Sequence, residues 1–126
     1  MTGIHRFEDI IAWNKARSLE KNIYETTRTG SFSKDHDLKT QIRRAAVSIM
    51  SNIAEGYERG GPREFKQFLS IAKASCAELR SQLYGTADVG YLEDNRLFHG
   101  LLKQSEEVGR IIGGLRASVQ TTRSSS

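Results

Sequence analysis

The segment Gln41–Gly56, with the sequence QIRRAAVSIMSNIAEG, decides the fold of this chain. Apolar residues recur at steps of three and four, the period of one helix face, starting just before the segment: Leu38, Ile42, Ala45, Ile49 and Ile53. Small residues beside this stripe let a neighbouring helix approach closely. We therefore predict a helix with neighbours on several sides. Its end is predicted at Gly56, because glycine readily adopts the positive φ of a helix C-cap.

Three further segments show the same helical period, separated by short polar or glycine-containing turns. Pro62, the only proline, suits the first position of a helix because its missing N–H costs nothing there. Phe32 lies in the turn before the second helix and is expected to cover one end of the bundle. The four predicted helices cover about 9–27, 33–56, 62–90 and 94–119.

These helices predict an all-α fold, an antiparallel up-down four-helix bundle formed by residues 1–120 as a single domain. Residues 121–126, TTRSSS, have nothing to bury and are predicted to be a disordered tail. Four glycines in the last helix would each cost an isolated helix about 1 kcal/mol, which indicates close approach by another helix: Gly100, Gly109, Gly113 and Gly114.

The composition favours self-association and indicates the cellular compartment in which we expect the protein. Only 37% of the 126 residues are hydrophobic, which is low for a self-sufficient globule and predicts a homo-oligomer. The single cysteine, Cys76, excludes an intrachain disulfide and is expected to be buried on an apolar seam. No apolar run approaches the roughly 18–20 residues that span a bilayer, and the N-terminus lacks the core of a signal peptide. We expect a cytoplasmic protein without a membrane partner.

Basic residues are spread evenly, and two rows of them follow helix faces. The formal charge is +4, with no basic tail or arm, so a nucleic-acid surface would have to arise from the helix arrangement. Heptad spacing on the third and fourth helices places cations in rows of about 21 Å, long enough to contact several phosphates. These rows are predicted to face outward, although such rows are commonly only solvated faces. The candidate nucleic-acid contacts are Arg63, Lys66, Lys73, Arg80, Lys103 and Arg110, and Arg96 extends the second row.

Polar residues of the central segment predict a structural network inside the bundle. Asn52 and Glu55 would be costly there without hydrogen-bond partners. We expect Glu55 or Glu78 to pair with an arginine and Asn52 to fix the helix register. A ligand or RNA site is the alternative interpretation. The predicted network consists of Arg43, Arg44, Asn52, Glu55 and Glu78.

The motifs resemble one known family. The central segment, followed by FLSIAKAS, AELRSQL and GYLED, is similar to the four-helix-bundle family of 23S rRNA intervening-sequence proteins over about residues 7–118. Upstream, Phe7, Trp13 and Phe32 match the same pattern. Met50 and Ser33 stand where that family usually has proline, so the second helix should be straighter here. The fold is also similar to that of the accessory variability protein of diversity-generating retroelements.

The resemblance implies an all-α protomer that self-associates, commonly as a ring of five, and a link to structured RNA or to a reverse transcriptase. It supplies no catalytic residue. The three histidines are far apart in sequence, and no nucleophile, phosphate-loop or metal motif occurs, so no catalytic residue, metal or cofactor is predicted. We therefore expect a non-catalytic homo-oligomeric accessory protein that binds RNA or another nucleic acid through basic helix faces. The alternative is a protein-interaction scaffold, for example a reverse-transcriptase accessory subunit. An enzyme or a small-molecule site inside the bundle is disfavoured.

Overall fold

The computed structural model of the protein describes residues 3–120, which are helical throughout apart from turns. No strand occurs within this range. Two short 3-10 helices, Phe7–Asp9 and Ser31–Lys34, precede the first and second α-helices. The four α-helices are α1 (Ile11–Thr27), α2 (His36–Glu58), α3 (Pro62–Asp88) and α4 (Asn95–Ser118).

The helix starts follow from local chemistry that the sequence contains. The Asp35 carboxylate accepts a hydrogen bond from the backbone N–H of Leu38 (3.1 Å) and caps α2. Asp94 accepts from the N–H groups of Arg96 and Leu97 (2.9 and 3.3 Å) and caps α4 in the same way. Pro62 occupies the first turn of α3, as predicted. These caps and the proline fix where the chain enters three of its four helices.

Each helix packs against two others around one shared core. α1 contacts α2 and α4, and α3 contacts the same two helices on the opposite side. At the α2–α3 contact, Gly56 near the end of α2 lies beside Phe65 near the start of α3. The largest side chains with less than 2% exposure form the centre of this core: Ile10, Leu19, Ile23, Ile42, Ile49, Ile53, Leu69, Leu79, Leu83 and Ile112.

Aromatic side chains close the bundle at one end. Phe32 is only 2% exposed and stacks on Tyr91 at 5.5 Å between ring centroids, so it covers the end as the sequence predicts. The Tyr91 hydroxyl donates to Oδ2 of Asp35 (3.1 Å), the residue that caps α2. This hydrogen bond also raises the pKa of Tyr91, because it is made by the neutral form. The α3–α4 turn is thereby attached to the start of α2.

Gly56 does not end α2, so that prediction is wrong. The helix continues through Glu58, and in the turn that follows it the residue with positive φ is Gly60 (φ 84°). Gly56 is buried, and a Cβ at this position would lie 2.5 Å from the Cβ of Phe68 on α3. The glycine is therefore required by the close approach of α2 and α3, and not by a helix cap.

The glycines of α4 are predicted to allow close approach by another helix, and within the described residues this holds for only two of the four. A Cβ on Gly109 would make an ordinary 3.6 Å contact with Cys76, and one on Gly113 would lie 3.3 Å from Nζ of Lys73. Nothing lies within 4 Å of such an atom on Gly100 or Gly114. At Gly100 and Gly114, the missing side chain leaves open space on the outside of α4, and no other helix of residues 3–120 packs against it.

Replacing Gly56 by alanine should destabilise the protein. The new methyl group would overlap Phe68, and overpacking of this kind costs about 1–3 kcal/mol of unfolding free energy. Gly85→Ala in α3 is the matched control, because nothing lies within 4 Å of its added methyl group. That variant should gain up to about 1 kcal/mol from helix propensity. Urea denaturation of both variants measures the difference, and equal stability would contradict the role assigned to Gly56.

Candidate nucleic-acid interface

A groove of about 1110 Å³ lies on the outer surface between α3 and α4. We call it the α3–α4 groove. Small residues from both helices line it: Ser70, Ala74, Ala77, Gly109, Gly113 and Ala117. The charged residues of the groove are Lys73, Arg80, Arg110, Arg116 and a single acid, Glu106. A positively charged depression on a helical surface is thus the main polar feature of this face.

The helix pairing explains why these cations converge. Lys73 and Arg80 are seven residues apart, so they share the side of α3 that faces α4. The side chain of Lys73 lies over Gly113, and Nη1 of Arg80 would be 3.9 Å from a Cβ on Gly109. Arg110 approaches the same groove from α4. The absent glycine side chains leave the space that the long basic side chains occupy.

The basic residues of the groove have no ionic partner in the described part of the chain. The ion pairs found within 4 Å join Arg6 to Asp9, and Arg59 to Glu55 and Glu64. Glu106 and Arg110 are four residues apart on α4, but they are not among the ion pairs within 4 Å in residues 3–120. The four cations of the groove therefore remain available to an external anion.

Arg116 also lines the groove, although it lies outside the heptad rows of the sequence. Its Nε donates to Oγ of Ser70 (2.6 Å) and to the carbonyl oxygen of Lys66 (3.2 Å), which ties the end of α4 to α3. On α4, the residue seven positions after Arg110 is Ala117, so heptad spacing does not select Arg116. Its position three residues after Gly113 was the available signal, since residues three apart share a helix face.

The other predicted contacts lie outside the groove. Arg63 and Lys103 are exposed, but they are not among its lining residues. Lys66 is half-buried and takes part through its backbone carbonyl. Arg96 faces a separate cavity of about 690 Å³ between α1 and α4. Thus Lys73, Arg80 and Arg110 are brought together, whereas the continuous outward row predicted on α3 is interrupted by the half-buried Lys66 and Arg80.

Family membership follows from the sequence as a whole. Residues 8–114 match the sequence model of the family described as 23S rRNA-intervening sequence protein. The chain belongs to this family.

A solved structure shows the same fold for a distant protein of the S23 ribosomal protein family. It is the crystal structure of a protein with unknown function from Bacteroides thetaiotaomicron VPI-5482. The two chains are 18% identical and superpose with a TM-score of 0.78, covering 86% of this chain and 96% of the other. No curated protein matches this sequence. The similarity supports the four-helix fold, and the family description gives no catalytic activity.

Some polar residues of the central segment, Gln41–Gly56, do link helices. Asn52 donates to the carbonyl oxygen (2.8 Å) and the hydroxyl (3.0 Å) of Ser48. Oγ of Ser48 lies 2.8 Å from Oγ of Ser75 on α3. Because the Ser75 hydroxyl can donate to the carbonyl oxygen of Ile71 (3.0 Å), Ser48 is then the donor between the two serines. This relay of hydrogen bonds joins α2 to α3.

Arg43 connects α2 to α1 by a different mechanism. Its Nε donates to the Thr27 hydroxyl (2.8 Å), and its guanidinium lies 4.3 Å from the ring centroid of Tyr24. Both partners belong to the last turns of α1, where a cation also interacts favourably with the helix dipole. The prediction that Arg43 has a structural role is consistent with these contacts.

The rest of the predicted network is not formed among the described residues 3–120. Arg44, Glu55 and Glu78 are exposed. Glu55 pairs with Arg59 one turn later (3.1 Å), and 56% of its side chain is accessible to solvent. The expected internal pairing with an arginine is therefore corrected: Glu55 forms a surface ion pair with Arg59, and Glu78 forms no ion pair within residues 3–120, because both carboxylates lie at exposed positions. Helical periodicity assigns Arg44 and Glu55 to one side of α2, but it does not show that this side faces water.

Other reactive groups form no second site in the described residues. Cys76 is fully buried, and burial raises the pKa of its thiol to about 11, so it remains protonated at neutral pH. No group of three or more His, Cys, Asp and Glu side chains within residues 3–120 could hold a metal ion. Over the same range, no helix combines the length and the apolar character needed to cross a membrane.

Asn52 and Glu55 should respond differently to replacement by leucine. Asn52→Leu removes two hydrogen bonds at a half-buried position and should lower the unfolding free energy by about 1 kcal/mol. Glu55→Leu removes a surface ion pair and should change it by less than about 0.5 kcal/mol. Urea denaturation at one protein concentration tests the pair. A larger loss in the Glu55 variant would mean that this carboxylate has a partner outside the chain.

Proposed function

We propose that this protein is a non-catalytic accessory protein that binds RNA or another nucleic acid through the α3–α4 groove. One observation carries the proposal: four basic side chains surround the groove without an ionic partner in the described residues. Phosphate contacts of this kind supply most of the affinity in sequence-independent binding. The family description, which names 23S rRNA, is consistent with an RNA ligand.

The groove is better suited to contacting a phosphate backbone than to recognising bases. Seven residues separate Lys73 from Arg80, which corresponds to roughly 10 Å along α3 at 1.5 Å per residue. None of the described residues that line the groove is aromatic, so they offer no ring on which exposed bases could stack. The proposed binding is therefore tolerant of sequence, because phosphate contacts position a nucleic acid without reading its bases.

We further propose that the active species is a homo-oligomer built from antiparallel up-down bundles, with five subunits as the resemblance to the family implies. The contacts of Gly56 with Phe68 and of Ser48 with Ser75 support the antiparallel arrangement, because a later residue of α2 meets an earlier residue of α3. One groove carries too few charges for tight binding at physiological salt, and a ring would multiply them. Exposed large apolar side chains support self-association: Ile11, Ile71, Tyr84, Val89 and Leu97. The proposed location of this homo-oligomer is the cytoplasm.

The second candidate is a protein-interaction scaffold, such as an accessory subunit of a reverse transcriptase, that does not touch nucleic acid. The exposed apolar side chains favour it, because Ile11 (67% exposed) and Val89 (60%) take no part in the groove. Under this candidate function, the basic residues contribute only solubility. The two functions differ in one measurable property, the dependence of RNA binding on salt.

Binding to a labelled RNA hairpin should weaken steeply with salt and should depend on the groove. The test variant is Lys73→Gln/Arg80→Gln/Arg110→Gln. Its salt slope, log Kd against log salt, should be flatter by roughly two to three for each protomer engaged, because three phosphate contacts are lost. The matched control Lys15→Gln/Lys21→Gln/Arg28→Gln removes the same charge from exposed positions on and after α1.

The control variant should keep the wild-type slope apart from a small general decrease. Equal effects in the two triple variants would show that only net charge matters and would contradict a site in the groove. Absence of RNA binding by the wild-type protein at low salt would favour the scaffold.

The assembly has its own test. Light scattering at micromolar concentration should give a species several times heavier than the 14.1 kDa chain, about 70 kDa for five subunits. Both triple variants should retain this mass, since the replaced residues lie outside the exposed apolar positions. A stable species of 14.1 kDa would rule out the oligomer.

A further inference from the structure

The guanidinium of Arg116 is held in place by a closed set of hydrogen bonds. Its Nε–H is shared between Oγ of Ser70 (2.6 Å) and the carbonyl oxygen of Lys66 (3.2 Å). The Ser70 hydroxyl in turn donates to the same Lys66 carbonyl (3.1 Å). Each of these three polar groups therefore has a partner. Because the guanidinium is planar, fixing Nε also restricts the direction of its two terminal nitrogens.

Those terminal nitrogens are not used within the described part of the chain. Neither donates a hydrogen bond to residues 3–120, and Arg116 forms no ion pair there. Arg116 is half-buried at the end of the α3–α4 groove, next to Gly113 and Ala117. The small neighbours leave an anion free to approach. The side chain of Lys73 crosses Gly113 and brings a second cation to this part of the groove.

We propose that Arg116 is a pre-oriented phosphate clamp and that Ser70 is the residue that positions it. A fixed guanidinium fork offers two parallel N–H donors, the geometry that suits two oxygens of one phosphate. The ligand class is a phosphodiester or a phosphate chain. This inference rests on the proposed function where the phosphate belongs to RNA. It gives the α3–α4 groove a specific hydrogen-bonding site in addition to its positive charge.

A clamp and a simple point charge predict different responses to mutation. Ser70→Ala keeps every charge but releases Nε of Arg116. Affinity should then fall while the salt slope stays the same, since the number of phosphates neutralised does not change. Arg116→Lys also keeps the charge but removes the fork. If Arg116 acted only as a charge, both variants would bind like the wild-type protein.

The experiment measures the binding of each variant to a labelled RNA hairpin over a range of salt concentrations. Ser70→Ala and Arg116→Lys should each raise Kd by about threefold to tenfold per engaged groove at every salt concentration. Arg116→Gln should raise it further and lower the salt slope by about one. Ser81→Ala, an exposed serine of α3 outside the groove, is the control and should bind like the wild-type protein.

A second arm uses inorganic tripolyphosphate alone, which presents phosphate without bases or sugar. It should compete with RNA for the wild-type protein and compete less well for the Arg116→Lys variant. Wild-type binding by both Ser70→Ala and Arg116→Lys would overturn the clamp. If the groove triple variant still lost RNA binding, the proposed function would stand without it. If the wild-type protein bound tripolyphosphate through Arg116 but not RNA, the clamp would stand and the proposed function would fail.

Discussion

The packing of α2 against α3 is the contact on which the rest of the structure depends. Gly56 lets the two helices approach until Phe68 occupies the place of its missing side chain, and the Ser48–Ser75 hydrogen bond fixes their register further along. With α3 held in this way, its opposite side faces α4. Lys73 and Arg80 then lie beside the α4 glycines, so the groove is a consequence of how the α2–α3 pair is assembled.

The groove shows how a weakly basic chain can concentrate charge without a basic segment. Charges are spread evenly in sequence, yet two helices contribute four cations and one anion to a single depression. Glycine and alanine provide room, and no acid of the described residues lies within ion-pair distance of the basic side chains, so their charge is not neutralised by an ion pair there.

Local signals were reliable where one residue type satisfies one backbone requirement. Asp35 and Asp94 cap helices, and Pro62 begins one, within three residues of the predicted starts, because each acts on backbone groups within its own turn. Gly56 was misinterpreted because glycine serves both a helix cap and a close helix contact. Only the position of Phe68 on another helix separates the two roles. Glu55 was misplaced because periodicity assigns residues to a helix face without showing whether that face is covered.

The sequence alone determined the all-α class, the four helices, most of their ends and the apolar stripes that form the core. It also contained the cations of the candidate site, and heptad spacing identified three of them. Only the tertiary structure decided that Lys73, Arg80 and Arg110 share one groove, and that Arg116 joins them through Ser70 and the Lys66 carbonyl. The physical reason is that caps and periodicity act within a few residues of the chain. A side chain's hydrogen-bond partner on another helix is fixed by how the helices are packed and in which register.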